Sequence, residues 1–250
     1  MRVTWPLALA VLLALASGCS TAHTARPLGQ GNHAIHLSVG GPIGGIGSPD
    51  TPVPLPTLTY KYGLTDRADV YVGWHILETF LNEGNVFFDL GASYYFLDQK
   101  GARPGLSGAF TISPLINRKS GWAMMDFQIT ASWALGKQER HLLYVGMHNM
   151  FAPARDEAVH TSPYTLSPYV GGQLSIGKKK NLALGLELKW HRPWANTTDA
   201  VVGYVGVGKL GALAFLGGVT IVIRKKEQPG LEDPLEPPPE SSPANEESET

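Results

Sequence analysis

Cysteine is nearly absent: Cys19 is the only one in 250 residues, which excludes an intrachain disulfide framework and any paired-thiol site. Charged residues make up only 16% of the chain, with 20 basic side chains against 21 acidic ones, whereas roughly 25% is usual. Long apolar runs are missing as well. The run at residues 6–16 is too short to span a bilayer as a helix, which takes about 20 residues. No G-x-S-x-G, H-E-x-x-H or P-loop motif occurs, so hydrolytic, metalloprotease and nucleotide chemistry have no local signature.

What the chain does have is alternation. In residues 55–74 (LPTLTYKYGLTDRADVYVGW), Leu58, Tyr60, Tyr62 and Leu64 fall on one face and Thr57, Thr59 and Lys61 on the other. After a turn built from Gly63, Thr65, Asp66 and Arg67, Val70, Val72 and Trp74 oppose Asp69, Tyr71 and Gly73. That is the period-2 pattern of paired strands with one apolar and one polar side. The pattern recurs at 32–40, 86–96, 106–113, 122–135, 141–151, 165–176, 182–191, 201–208 and 212–224. Residues 77–81 read as a single helical turn.

Runs of about ten residues, joined by connections that alternate short and long, predict an all-β, antiparallel up-and-down transmembrane β-barrel of about 10–12 strands. Lys61, Asp69, Asp89, Asp126, Glu187 and Lys189 all fall mid-run on the polar face, and the apolar face carries no charge. A soluble barrel would show the inverse, so the polar face is expected to line the lumen. Lys61 and Asp69 are expected to pair across it. Tyr62, Phe96 and Trp133 lie on the apolar face beside short turns, with Trp74 and Trp190 beside long ones, which would furnish aromatic girdles at both interfaces. Eleven candidate runs are present; single-chain barrels have even strand numbers, and twelve is slightly favoured over ten.

The ends of the chain read differently. Arg2, the apolar run and the small residues Ala16, Ser17 and Gly18 before Cys19 resemble a bacterial lipoprotein signal, in which the thiol carries a lipid. The expected organisation is a signal peptide at 1–18, an anchor linker at 19–31, a barrel at 32–226 and a disordered tail at 227–250. That tail holds eight acidic residues and six prolines without lysine, arginine or aromatic side chains, so it cannot bury enough surface to fold. It is read as a solvated extension. Basic turns at 178–180 and 224–226 lack the interleaved aromatics of a nucleic-acid platform, so no nucleic-acid partner is expected.

By strand parity His75, His148 and His191 face the lumen near the long-connection ends of their runs. Three converging imidazoles would bind a metal or gate a pore by pH. The plainer expectation is polar filler, paired with neighbours such as Glu187, and no catalytic, cofactor or metal residue is assigned. Beyond a covalent lipid on Cys19, no cofactor is expected.

The segments LASGC (15–19), TARPLGQG (24–31) and YGLTDRADVYVG (62–73) together resemble bacterial outer-membrane β-barrel lipoproteins of poorly defined function. The resemblance implies an outer-membrane location and a barrel fold and carries over no catalytic residues; the expected partners are outer-membrane lipids and other envelope proteins. The expected role is structural, interactive or that of a narrow pore, with loops 41–54 and 152–164 presented outward. The alternatives are a membrane-embedded lipid-modifying hydrolase and a soluble periplasmic lipid-binding barrel.

Overall fold

The computed structural model describes residues 22–43, 55–76, 79, 86–116, 121–136, 140–151, 164–177, 181–196 and 205–225. Ten strands follow one another: β1 (His33–Pro42), β2 (Leu55–Gly63), β3 (Ala68–His75), β4 (Val86–Leu97), β5 (Gly105–Ile116), β6 (Gly121–Leu135), β7 (His141–Phe151), β8 (Tyr164–Ile176), β9 (Leu182–Asn196) and β10 (Leu210–Ile223). Each pairs antiparallel with its neighbours in sequence. β1 then closes on β10, from His33 opposite Ile223 to Pro42 opposite Ala214. Closure leaves no sheet edge unpaired, the condition for a β-structure in a medium without water.

Alternation fixes which face looks where. Leu186 on β9 is 53% exposed, while Glu187 beside it is 2% exposed. On β2 and β3, Leu58, Tyr60, Val70, Val72 and Trp74 point outward, and Thr57, Thr59, Lys61, Asp69 and Tyr71 are buried. The barrel is therefore apolar outside and polar inside. A soluble lipid carrier needs the reverse arrangement.

Three outward indoles keep their N–H groups satisfied. Trp74 Nε1 donates to Thr79 Oγ1 at 3.0 Å, Trp133 Nε1 to the Ala102 carbonyl at 2.9 Å, and Trp190 Nε1 to the Leu210 carbonyl at 3.0 Å. An indole half in an apolar belt needs such a partner.

Ten strands close the wall, so the leaning towards twelve is corrected, and the reason lies in the run at 201–208. Residues 201–204 lie outside the described residues. Val207 turns back on Leu210 through Gly208 and Lys209, both with positive φ (61° and 69°), the two-residue hairpin geometry that suits a twisted ribbon. Val205 meanwhile donates to the Ile43 carbonyl. Val205 also accepts from Leu213 N–H, and the described residues 205–208 belong to none of the wall strands. Other strands outrun their sequence bounds: Gly41 and Pro42 belong to β1, Pro114 to β5, Tyr164 to β8, and Pro193 and Asn196 to β9. Of the expected helical turn at 77–81, Thr79 is helical, as is Ile76 just before it, and the rest lies outside the described residues. No helix among the described residues is long and apolar enough to cross a membrane.

Candidate functional site in the barrel lumen

Residues 22–31, expected to be a linker, run inside the barrel. Gly31 N–H donates to the Gly63 carbonyl at the rim, and a Cβ on Gly63 would collide with the Gly29 carbonyl oxygen, so only glycine lets the segment cross β2 there. Deeper in, Leu28 N–H donates to Asp69 Oδ1 (3.1 Å), and Thr24 Oγ1 lies 3.1 Å from Gln128 Oε1 on β6. Arg26 donates through Nε to Ser132 Oγ (3.0 Å) and through a terminal nitrogen to Gln99 Oε1 (2.5 Å), with its guanidinium 5.2 Å from the centre of the Tyr95 ring. Ser107 and Ser132 both donate to the Ala25 carbonyl. A 3-10 turn, Ala22–Thr24, ends the described segment, with Ala22 and Ala25 buried against Tyr144 and Tyr169. Main-chain groups that would be orphaned in a lumen thus find wall side chains.

Lys61 is the pivot of this arrangement. Its ammonium lies 2.8 Å from Asp69 Oδ2 and donates to the carbonyls of His23 (2.5 Å) and Arg26 (3.2 Å). Both charged side chains are almost wholly buried, at 2% and 1% exposure, a situation tolerated only when pairing and hydrogen bonding are complete. The pair spans adjacent strands: Lys61 faces Tyr71 in register, with Asp69 two residues away on β3. The expected pairing across the lumen is corrected, because the N-terminal segment occupies that space.

On β9, three strands round the wall from β2, Glu187 pairs with Lys189 (3.3 Å) and accepts from the Tyr144 hydroxyl (3.0 Å), while Lys189 sits 5.7 Å from the centre of the Tyr169 ring. Tyr144 and Tyr169 lie across Gly171 and Gly146, and Tyr71 lies across Gly91; a Cβ at any of these glycines would meet the ring. The tyrosines fill the lumen because their cross-strand partners have no side chain.

Towards the long-connection end the expected histidines each have a partner. His75 Nε2 lies 3.0 Å from Asp89 Oδ2, whose other oxygen accepts from Ser113 Oγ (2.6 Å). His148 pairs with Asp126. His191 Nδ1 lies 2.8 Å from Ser167 Oγ. Glu187, expected among their neighbours, is held by Lys189 and Tyr144. Two small cavities, of about 140 and 180 Å³, share His148 and Met150 in their walls. Among the described residues no group of three His, Cys, Asp or Glu side chains is placed to hold a metal.

Chemically these are fragments. Ser113 bonds to Asp89 on the side away from His75, so no imidazole receives its proton, and the Ser167–His191 couple has no carboxylate on its other ring nitrogen among the described residues. A serine hydrolase needs nucleophile, base and orienting acid in one chain of hydrogen bonds.

No family model matches the chain, and no curated relative does. Among solved structures, similarity extends to other barrels. The translocator domain of autotransporter NalP from Neisseria meningitidis matches at 9% identity and TM-score 0.38, over 77% of this chain and 88% of that one. OprG from Pseudomonas aeruginosa matches at 10% identity and TM-score 0.34, over 80% and 100%. A loop-deletion mutant of OmpT from Vibrio cholerae matches at 11% identity and TM-score 0.32; this chain spans about half of it, 54%, with 68% of its own length. At these scores the likeness bears on no function.

Sequence parity assigned Lys61, Asp69, His75, Asp89, Asp126, His148, Glu187, Lys189 and His191 to the lumen; in the structure Lys61, Asp69, His75, Glu187 and Lys189 are buried, and Asp89, Asp126, His148 and His191 line the two small cavities. It missed Thr24, Arg26, Gln128 and the tyrosine–glycine pairs. The polar wall partners of the segment lie from 35 to 107 residues away in sequence, beyond any local period. One signal was available: Ala22 and Ala25 are small residues spaced through a polar stretch, suited to close packing.

Proposed function

We propose that this chain is a bacterial outer-membrane β-barrel, tethered by a lipid on Cys19 and closed by its own N-terminal segment, with a structural or interaction role rather than that of an open pore. The observation that carries it is the segment 22–31, seated in the lumen by hydrogen bonds from Lys61, Ser107 and Ser132 and to Gln128 and Asp69. The outward apolar belt supports the membrane setting, and the short connections after β2, β4, β6 and β8 fit periplasmic turns.

Tethering is compatible with plugging. Ala22 packs beside Gly185, three residues from the short-turn end of β9, and three further residues carry the chain roughly 10 Å, enough for Cys19 to return to that rim. Other envelope proteins would then meet the long connections on the far side. Among the described residues the hydrolase alternative lacks an assembled site, and its Ser167–His191 couple faces the lumen, away from lipid.

Two measurements on cells expressing the full chain test this. The protein is expected to resist carbonate extraction and to migrate faster on gels when unheated, and it is expected to incorporate labelled palmitate that Cys19→Ser abolishes. A carbonate-soluble protein without a heat shift contradicts the barrel in the membrane; a barrel without palmitate contradicts the tether alone.

A further inference from the structure

Beneath the plug, at the short-turn end, lies the largest described cavity, about 390 Å³. Its walls include Arg26, Lys61, Arg140 and Arg224, together with His36, Gln173, Ser175 and Thr220, and, among the described residues, no carboxylate. Lys61 is already balanced by Asp69. Arg26 is different: it is half-buried and its hydrogen bonds go only to neutral groups, Ser132 and Gln99. Arg224, at the rim, makes no ion pair among the described residues. A partly desolvated guanidinium without a counter-charge is costly to hold, and a planar cationic fork matches a carboxylate in shape.

The geometry points to a polycarboxylate-binding site in this chamber. Such a ligand has two sources. One is the chain itself, since the stretch 227–250, with eight acidic residues and no basic ones, begins three residues after Arg224. The other is a free di- or tricarboxylate reaching the short-turn face. Either would neutralise Arg26 and span the rim arginines, and the volume admits a molecule the size of citrate.

Citrate is the probe, titrated calorimetrically into the full refolded chain and into a chain ending at residue 226. β10 ends at Ile223, so the wall is complete in both. Saturable binding is expected in at least the shortened chain. Affinity that rises tenfold or more on shortening assigns the chamber to the chain's own carboxylates, and affinity unchanged by shortening assigns it to a free solute. The double variant Arg140→Gln/Arg224→Gln should weaken citrate at least tenfold while keeping the heat-modifiable migration of a folded barrel. Absence of saturable binding in both chains, or unaltered affinity in the folded double variant, overturns the proposal.

Discussion

Lys61 shows how much one side chain can organise when a charge is buried. It neutralises Asp69 and holds two carbonyls of the N-terminal segment, so Lys61→Met would leave Asp69 buried without its partner and release the segment together. The expected loss is about 3–5 kcal/mol, read from urea unfolding of the refolded barrel by tryptophan fluorescence. Lys61→Met/Asp69→Leu should recover part of that loss, because the uncompensated charge is gone. Two neighbouring glycines of β8 make a second contrast, one facing the lumen and one facing outward. Gly171 faces the Tyr144 ring, whereas a Cβ at Gly172 would find only the Leu142 carbonyl at 3.5 Å. Gly171→Ala should therefore cost about 1–3 kcal/mol by overpacking, with Gly172→Ala near neutral in the same unfolding series. At this scale the sequence disclosed that Lys61 and Asp69 face inward, since parity is local. It did not disclose their adjacency across β2 and β3 in place of a reach across the lumen, because that depends on what else fills the space.

At the scale of the strand, the apolar and polar faces have different tolerances. Leu186 lies mid-strand on the outward face of β9, so Leu186→Arg should destabilise by about 2–4 kcal/mol in a bilayer. Equilibrium unfolding in lipid vesicles measures it, and a cost near zero would mean that this face does not contact hydrocarbon. Nearly every strand was legible from its alternation, because burial on one side only imposes period 2. The exception is instructive. Val201–Gly208 also alternates, yet Gly208 and Lys209 at positive φ fold its end back on Leu210. A local period records that a segment is extended; it does not record how much of the segment pairs with the wall, and here Val205 bonds to Ile43 and Leu213 before the chain turns back at Val207. The ends of β5 and β9 were equally hidden, since Pro114 and Pro193 read as loop signals yet lie within strands.

For the molecule as a whole, the closed wall and the threaded segment together determine what passes through. The wall follows from repeated local patterns, and these were plain in the amino-acid order. The threading depends on contacts such as Arg26 with Ser132, more than a hundred residues apart, and a short polar stretch before the first strand gives the same local pattern whether it lies in water or in a lumen. Planar-bilayer conductance of the full chain beside a chain lacking residues 22–30 tests this most directly. The full chain should show no steady open level and the deletion a discrete, ohmic one; equal conductance from the two, or none from either, would contradict a lumen closed by its own N-terminal segment.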